Sequence, residues 1–292
     1  MKRICKNLIF LFTLLFTFNS IPLEVLALST AKNFNENNIR NWQSNTELLV
    51  SDSNSTTDLP TRFRVIPELK IAGGKQFTPS QLKNIQNKIT SDNLYIVDLR
   101  EESHGFNDNT AISIYTKISN KNYPFTTESI LNRETQKLNT LKNNSTLNIY
   151  NQKGNLVKTV NTGTIQSEAE LVKQNNINYV RFPVIDGYIP SPEIVDEFVN
   201  FIKSKPEDAY LYFHCKEGQG RTTTFMSLYE MMNNKNNLSL DEILKHQKDI
   251  GGIDIVTGNT SRATFLKNFY NYTTENMKED FKTPYSTWIK NK

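Results

Sequence analysis

Cysteine and histidine are scarce in this chain, with two of the first and three of the second among 292 residues. The three histidines, at positions 104, 214 and 246, form no ligand-spaced cluster, so no metal and no other cofactor is expected. A dominant charge sign is also missing: 34 Lys and Arg face 30 Asp and Glu, a formal +4. With no long basic run and no aromatic-basic stripe, a nucleic-acid partner is not expected. Nor does any apolar run approach the roughly 20 residues that a membrane-spanning helix needs. What is present, 37% hydrophobic and 22% charged residues, is the composition of a soluble globular protein with a real core, in one large or two modest domains.

The first residues depart from that texture. Lys2, Arg3 and Lys6 precede an apolar stretch from Leu8 to Phe18, and Val25-Leu26-Ala27 sets small residues where a signal peptidase reads. This pattern is that of a secretory signal peptide cleaved after Ala27. The expected location is therefore secreted or cell-surface, without stable membrane insertion after cleavage. Cys5 lies inside the segment to be removed, which leaves Cys215 as the lone thiol and excludes an internal disulfide. A lone cysteine in an exported chain is either a buried bystander or a reactive group, and its neighbours decide which.

Residues 28–58 are polar and patternless and read as a flexible leader. Thr78-Pro79 opens an amphipathic helix running to Ile89, and Leu94-Tyr-Ile-Val-Asp98 reads as a buried strand. Residues 107–165 carry short alternating stretches, including a hairpin at 146–160, and read as a small β-rich insertion. The second half alternates strands at 179–184 and 210–213 with helices opened by Ser167, Ser191-Pro192, Thr222, Ser239 and Arg262. Such alternation implies an α/β fold with a mostly parallel sheet and helices on both faces. Ligand sites in parallel sheets lie beyond the strand C-terminal ends, which is where Cys215 falls.

The segment His214-Cys215-Lys216-Glu217-Gly218-Gln219-Gly220-Arg221-Thr222 joins such a strand to a helix. A tight loop entering a helix N-terminus turns several N–H groups into one bowl, where the helix dipole also favours an anion. Lys216, Glu217, Gly218, Gln219 and Gly220 are expected to supply that phosphate-binding backbone, the two glycines letting it curl. Arg221 can close the bowl with a two-pronged contact that Lys could not copy. The same field favours the nucleophilic thiolate of Cys215, and Thr222 can hydrogen-bond its sulfur. Lys216 adds charge at the edge, while His214 is expected to bond the loop backbone from behind. Cys-x5-Arg alone is weak; with the flanking His, Gly, Gly and Thr and the strand–loop–helix setting, it is a strong phosphatase signal.

At these residues the chain resembles the cysteine phosphatases of the protein-tyrosine-phosphatase (PTP) superfamily, and among them the bacterial PTP-like phytases. VDLREESHG (97–105), YVRFPVIDGYIP (179–190) and the stretch 206–213 are similar to segments of that family, so the resemblance covers most of residues 60–275. It implies a PTP-like domain (59–106 and 166–292) interrupted by a partial-barrel insertion (107–165), and hydrolysis of myo-inositol polyphosphates through a phosphocysteine. By the same resemblance Asp186 is the general acid and Arg62 and Arg64 are a basic pair turned toward bound phosphate on a small anionic substrate, a role Lys117 and Lys121 of the insertion can share. Asp98, Arg100, Glu102 and His104 follow a strand end, where they can rim the site, and Arg100 can equally stand behind the rim as a structural ion-pair partner. Two features depart from the family: Gly187 follows Asp186, and Ile114-Tyr115-Thr116 stands where a Trp-Tyr-Gly stretch is usual. The alternatives are a protein-tyrosine, dual-specificity or phosphoinositide phosphatase, and an inactive phosphate-binding module.

Overall fold

A computed structural model describes residues 47–116 and 126–292. From its start come β1 (Glu47–Ser53), β2 (Arg64–Ile66), β3 (Ile71–Lys75), α1 (Pro79–Ile89), β4 (Leu94–Arg100), β5 (His104–Asn107) and β6 (Thr110–Thr116). The middle holds α2 (Thr127–Lys142), β7 (Thr146–Tyr150), β8 (Leu156–Asn161), β9 (Ile165–Gln166) and α3 (Glu168–Gln174). Then follow β10 (Asn178–Val184), α4 (Pro192–Ser204), β11 (Tyr210–Cys215), α5 (Gly220–Met232), α6 (Leu240–Asp249), α7 (Thr260–Asn276) and α8 (Tyr285–Lys290).

Caps explain where several helices begin. Thr78, Ser167 and Ser239 each accept from the backbone three residues on, and Gln81, Glu170 and Glu242 reach back in reciprocal capping boxes. Ser191 caps α4, with Pro192 at its first turn.

One sheet runs β10-β4-β11-β3-β2, with the first four strands parallel and β2 antiparallel at the edge. Alternation along β11 sends Leu211, Phe213 and Cys215 into one core with α4, α5 and α7, and Tyr212 into a second core with α1 and α3. Helices therefore cover both faces. α5 lies deep within the first core, with Phe225, Met226 and Leu228 fully enclosed. The other sheet runs β8-β7-β1-β6-β5-β9 and is antiparallel apart from β1 beside β7. Among the described residues it is open, with β8 and β9 at its edges, rather than a closed barrel. No helix of the described residues is long and apolar enough to cross a membrane.

Two expected boundaries need correction. Order begins before residue 59, because Leu48, Leu49 and Val50 are buried in β1, which pairs with β6 and β7. The second sheet is thus not one contiguous insertion: β1 joins it from the segment read as a flexible leader. Nor is 107–165 purely β. It contains α2, whose buried face is Ile130, Glu134, Leu138 and Leu141. A glutamate in that stripe breaks the apolar helical period by which an amphipathic helix is recognised. The signal segment and most of the leader lie outside the described residues.

Candidate active site

β11 delivers Cys215 to the sheet's C-terminal edge, and α5 begins five positions later at Gly220. The thiol is buried, and Thr222 Oγ1 donates to its Sγ at 3.2 Å. Between them the chain bends at Gly218, φ +67°, against β3. A Cβ there would stand 2.4 Å from the Gly74 carbonyl carbon, so both the φ and the close approach require glycine. Beneath the loop, Arg64 donates to the Gly218 carbonyl at 3.0 Å and to Thr223 Oγ1 at 3.2 Å. Glu217 pairs with Lys75 at 3.1 Å, and the Gln219 amide oxygen, turned toward Arg62, accepts from its Nε and Nη2 at 3.3 Å.

Arg221 is held on several sides. Nη1 donates to Glu102 Oε2 at 2.7 Å and to the Val184 carbonyl at 3.0 Å. Nη2 donates to Glu102 Oε1 at 3.1 Å and lies 3.1 Å from Asp186 Oδ1. Nε is buried without a partner. Glu102 thus takes the end of the guanidinium, and the Nε–Nη2 edge carries only the contact to Asp186. Burial pulls Arg221 down from its ordinary value, but Glu102 and Cys215 outweigh it and the group is pushed up, so the cation is secure.

Glu102 is itself anchored. Its Oε1 accepts from Arg100 Nε at 2.9 Å, and Arg100 Nη1 reaches Asp52 at 3.0 Å and Gln76 at 2.7 Å. Asp52 Oδ1 accepts from Ser113 Oγ at 2.9 Å and lies 3.2 Å from Lys216 Nζ. This ionic chain ties β1 and β6 to the loop. The Arg100 and Asp52 side chains are both 0% exposed, so removing one leaves the other charge buried and unpaired. Asp52→Ala is expected to lower unfolding stability by about 3–5 kcal/mol. Equilibrium urea denaturation measures it, and a loss under about 1 kcal/mol would contradict the chain's structural role.

A second buried cluster lies deeper. Strand register sets Asp98 beside Arg181 of β10 and His214 of β11. Arg181 lies 3.1 Å from Asp98 and 2.9 Å from Glu134, and His214 Nε2 meets Glu168 Oε1 at 2.7 Å. His104 stands within salt-bridge distance of Asp98, Glu134 and Glu168. Asp98, Glu168 and His214 bring their ligand-type atoms within 4.8 Å of one another, yet Arg181, His104 and Gln76 already answer their charges.

These pairings set a pH dependence. Burial raises the carboxyls of Asp52, Glu102 and Glu168, but Arg100 and Lys216 beside Asp52, Arg221 and Arg100 beside Glu102, and His214 beside Glu168 outweigh it. All three are held below the usual range, so their stabilisation is complete above about pH 4, the unfolded value, and is lost as pH falls through the folded values. His104 has the opposite sign. Burial and Arg100 lower it, Asp98 and Glu134 outweigh them, and its raised value makes its contribution full below about pH 6.5 and lost at higher pH. Urea midpoints should hold or rise from pH 7 to 5 and fall below about pH 4. A fall already between pH 7 and 5 would contradict this balance.

Several expected rim residues are placed elsewhere. Asp98 and His104 are buried because β4 continues to Arg100, which puts Asp98 in mid-sheet rather than past a strand end. Arg64 is buried too, since its pairing opposite Gly73 aims it under the loop. His214 bonds a carboxylate, not the loop backbone. Lys216 lines the groove beside the bowl, but Asp52 offsets its charge and the Tyr115 ring lies 5.8 Å from its Nζ. Arg62 is exposed beside Gln219, and Arg100 stands behind Glu102. Lys117 and Lys121 lie outside the described residues. The groove is lined by Glu47, Glu102, Tyr115, Lys137, Asp186 and Lys216 among others, and Lys137 pairs with Glu47 at 2.9 Å. Sequence reasoning missed Asp52, Glu134, Glu168 and Arg181, and also Arg262, whose Nη2 donates to the Gly187 and Tyr188 carbonyls at 3.3 Å.

A thiol at the end of a central parallel strand, a six-residue step to an arginine at a helix start, and a carboxyl over that arginine define a PTP-type cysteine-loop protein. The PTP-like phytase family model, described as "Inositol hexakisphosphate", matches residues 97–233. A tandemly repeated PTP-like phytase from Mitsuokella multacida is 26% identical with a TM-score of 0.76, over 85% of this chain and 50% of that one. A PTP-like phytase from Bdellovibrio bacteriovorus is 27% identical with a TM-score of 0.73, over 84% of this chain and 95% of that one. The effector protein hopD2 of Pseudomonas syringae pv. tomato is 26% identical over 77% of this chain and 53% of its own length. This chain has the fold of the PTP-like phytases, in the PTP superfamily, and matches their family model over residues 97–233. It spans about half the length of hopD2 and of the Mitsuokella protein.

Proposed function

We propose that this protein is an exported phosphomonoesterase of inositol polyphosphates that works through a phosphocysteine at Cys215. The observation that carries the reading is the Arg221 guanidinium, fixed by Glu102 and Val184, with its buried Nε–Nη2 edge turned to Asp186. Two phosphate oxygens match that edge, and taking it displaces Asp186 from Nη2. The thiolate Sγ then attacks phosphorus as the P–O bond to the substrate breaks. Asp186 gives its proton to the departing oxygen. In the second step the Asp186 carboxylate takes a proton from water, the water oxygen bonds phosphorus, and the S–P bond breaks. Thr222 Oγ1, at 3.2 Å from Sγ, donates to the thiolate as it leaves.

The inositol phosphate assignment draws on the family match and on the relatives: a PTP-like myo-inositol phosphatase from Mitsuokella multacida, 26% identical, was solved with myo-inositol-(1,3,4,5)-tetrakisphosphate. Export rests on the basic-apolar start and Val25-Leu26-Ala27. A second reading, a phosphatase of phosphotyrosine, dual-specificity or phosphoinositide substrates, is favoured by the groove. Its Lys137 and Lys216 are each matched by a carboxylate, and Tyr115 and Ile114 give it an apolar wall. Comparing kcat/KM of the purified protein on phytate and on a phosphotyrosine peptide decides between them. Preference for phytate is expected; a large preference for the peptide would overturn the inositol assignment.

A further inference from the structure

Asp186 occupies a turn that leans into solvent. Its side chain is 69% exposed, and Tyr188 and Ile189 beyond it are 61% and 36% exposed. Gly187 has φ +82° with nothing within 4 Å of where a Cβ would stand. A turn bond from the Tyr188 N–H to the Ile185 carbonyl, 3.0 Å, shapes it internally. Two arginines bond it to the body. Arg221 holds the Val184 carbonyl and Asp186, and Arg262 holds the carbonyls of Gly187 and Tyr188.

The two tethers differ once substrate is bound. Phosphate takes the Nε–Nη2 edge of Arg221, so the contact that Asp186 makes there is lost at the moment the acid is needed. Arg262 holds the turn through backbone carbonyls rather than through the acid itself. It sits in the first turn of α7, its N–H accepted by the Asn259 cap at 3.0 Å, and it is 7% exposed. Its guanidinium also packs on Gly220, the first residue of α5: a Cβ built there would lie 3.5 to 3.7 Å from Nη1, Nη2 and Cζ. One side chain therefore touches both the start of the phosphate loop's helix and two consecutive carbonyls of the turn, those of Gly187 and Tyr188.

We propose that Arg262 is a positioning residue that holds the Asp186 turn over the phosphate loop while Arg221 is engaged by substrate. This rests on the phosphatase reading above and adds to it the fixed point against which the acid is aimed. Arg262 itself need not touch the reacting atoms. A misplacement of about 1 Å in a reacting group can cost on the order of 10²-fold, which sets the scale of the effect.

The test compares kcat/KM on an alkyl phosphate, whose leaving oxygen needs a proton, with that on an aryl phosphate activated by a nitro group, whose leaving oxygen does not. Arg262→Ala should depress the alkyl substrate at least about ten-fold more than the aryl one. Arg262→Lys, which keeps a charged donor, should fall between it and the unaltered protein. Asp186→Asn should show the same split, and Arg262→Ala added to Asp186→Asn should widen it no further. If Arg262→Ala does not fold, Arg262→Met, which fills the space without a donor, carries the comparison. Equal loss on both substrates in the folded Arg262 variants, with the split present in Asp186→Asn, would overturn the positioning role alone. Absence of the split in Asp186→Asn would instead overturn the acid assignment beneath it.

Discussion

Cys215→Ser should lose turnover by on the order of 10⁴- to 10⁶-fold while still binding substrate, the pattern of a deleted covalent nucleophile. A serine hydroxyl is a weak nucleophile unless a base removes its proton, and the neighbour that meets this position is the hydroxyl of Thr222, which donates. The anion-binding parts are untouched: Arg221 keeps Glu102 and Val184, and Gly218 keeps its turn. Calorimetric affinity for a substrate phosphate should therefore stay within a few-fold. Turnover retained in this variant would remove Cys215 from the chemistry.

Asp186→Asn should reduce kcat/KM for an alkyl phosphate by about 10²- to 10⁴-fold, the usual contribution of a general acid. The same variant should cost an activated aryl phosphate far less, because a good leaving group departs without a proton. Asparagine can keep the turn geometry at this exposed position, which isolates the proton from the scaffold. The second step also loses its base, so with the aryl substrate the variant should release one equivalent of phenol rapidly and then turn over slowly. Equal slowing of both substrates, without the burst, would assign Asp186 to the turn beside Gly187 and nothing more.

Much of this site could be read from residues close in sequence. The loop from His214 to Thr222 encodes its own geometry, since Gly218 answers a positive φ and Thr222 lies one turn into the helix from the thiol's strand. Helix starts at Thr78, Ser167, Ser191 and Ser239 were legible because capping is a local exchange of hydrogen bonds. What stayed hidden depends on pairs far apart along the chain. Glu102 and Arg221 are 119 positions apart, and Asp52 and Arg100 are 48 apart, so neither carries a local pattern. The buried charges also disguised their own elements. Glu134 interrupts the apolar stripe of α2, and Asp52 gives β1 the look of a polar leader.

Those hidden charges bear on specificity. Lys216, expected to suit a polyanion, is matched by Asp52, and Lys137, which also lines the groove, is matched by Glu47.

Transfer of the phosphoryl group to Cys215 can be caught by acid-quenching Asp186→Asn during turnover of an activated aryl phosphate and mapping the protein by mass spectrometry. One added phosphoryl group is expected on the peptide that contains Cys215, absent from the double variant with Cys215→Ser. Burst-phase product with no phosphoryl group on that peptide, or a group found on another residue, would contradict it.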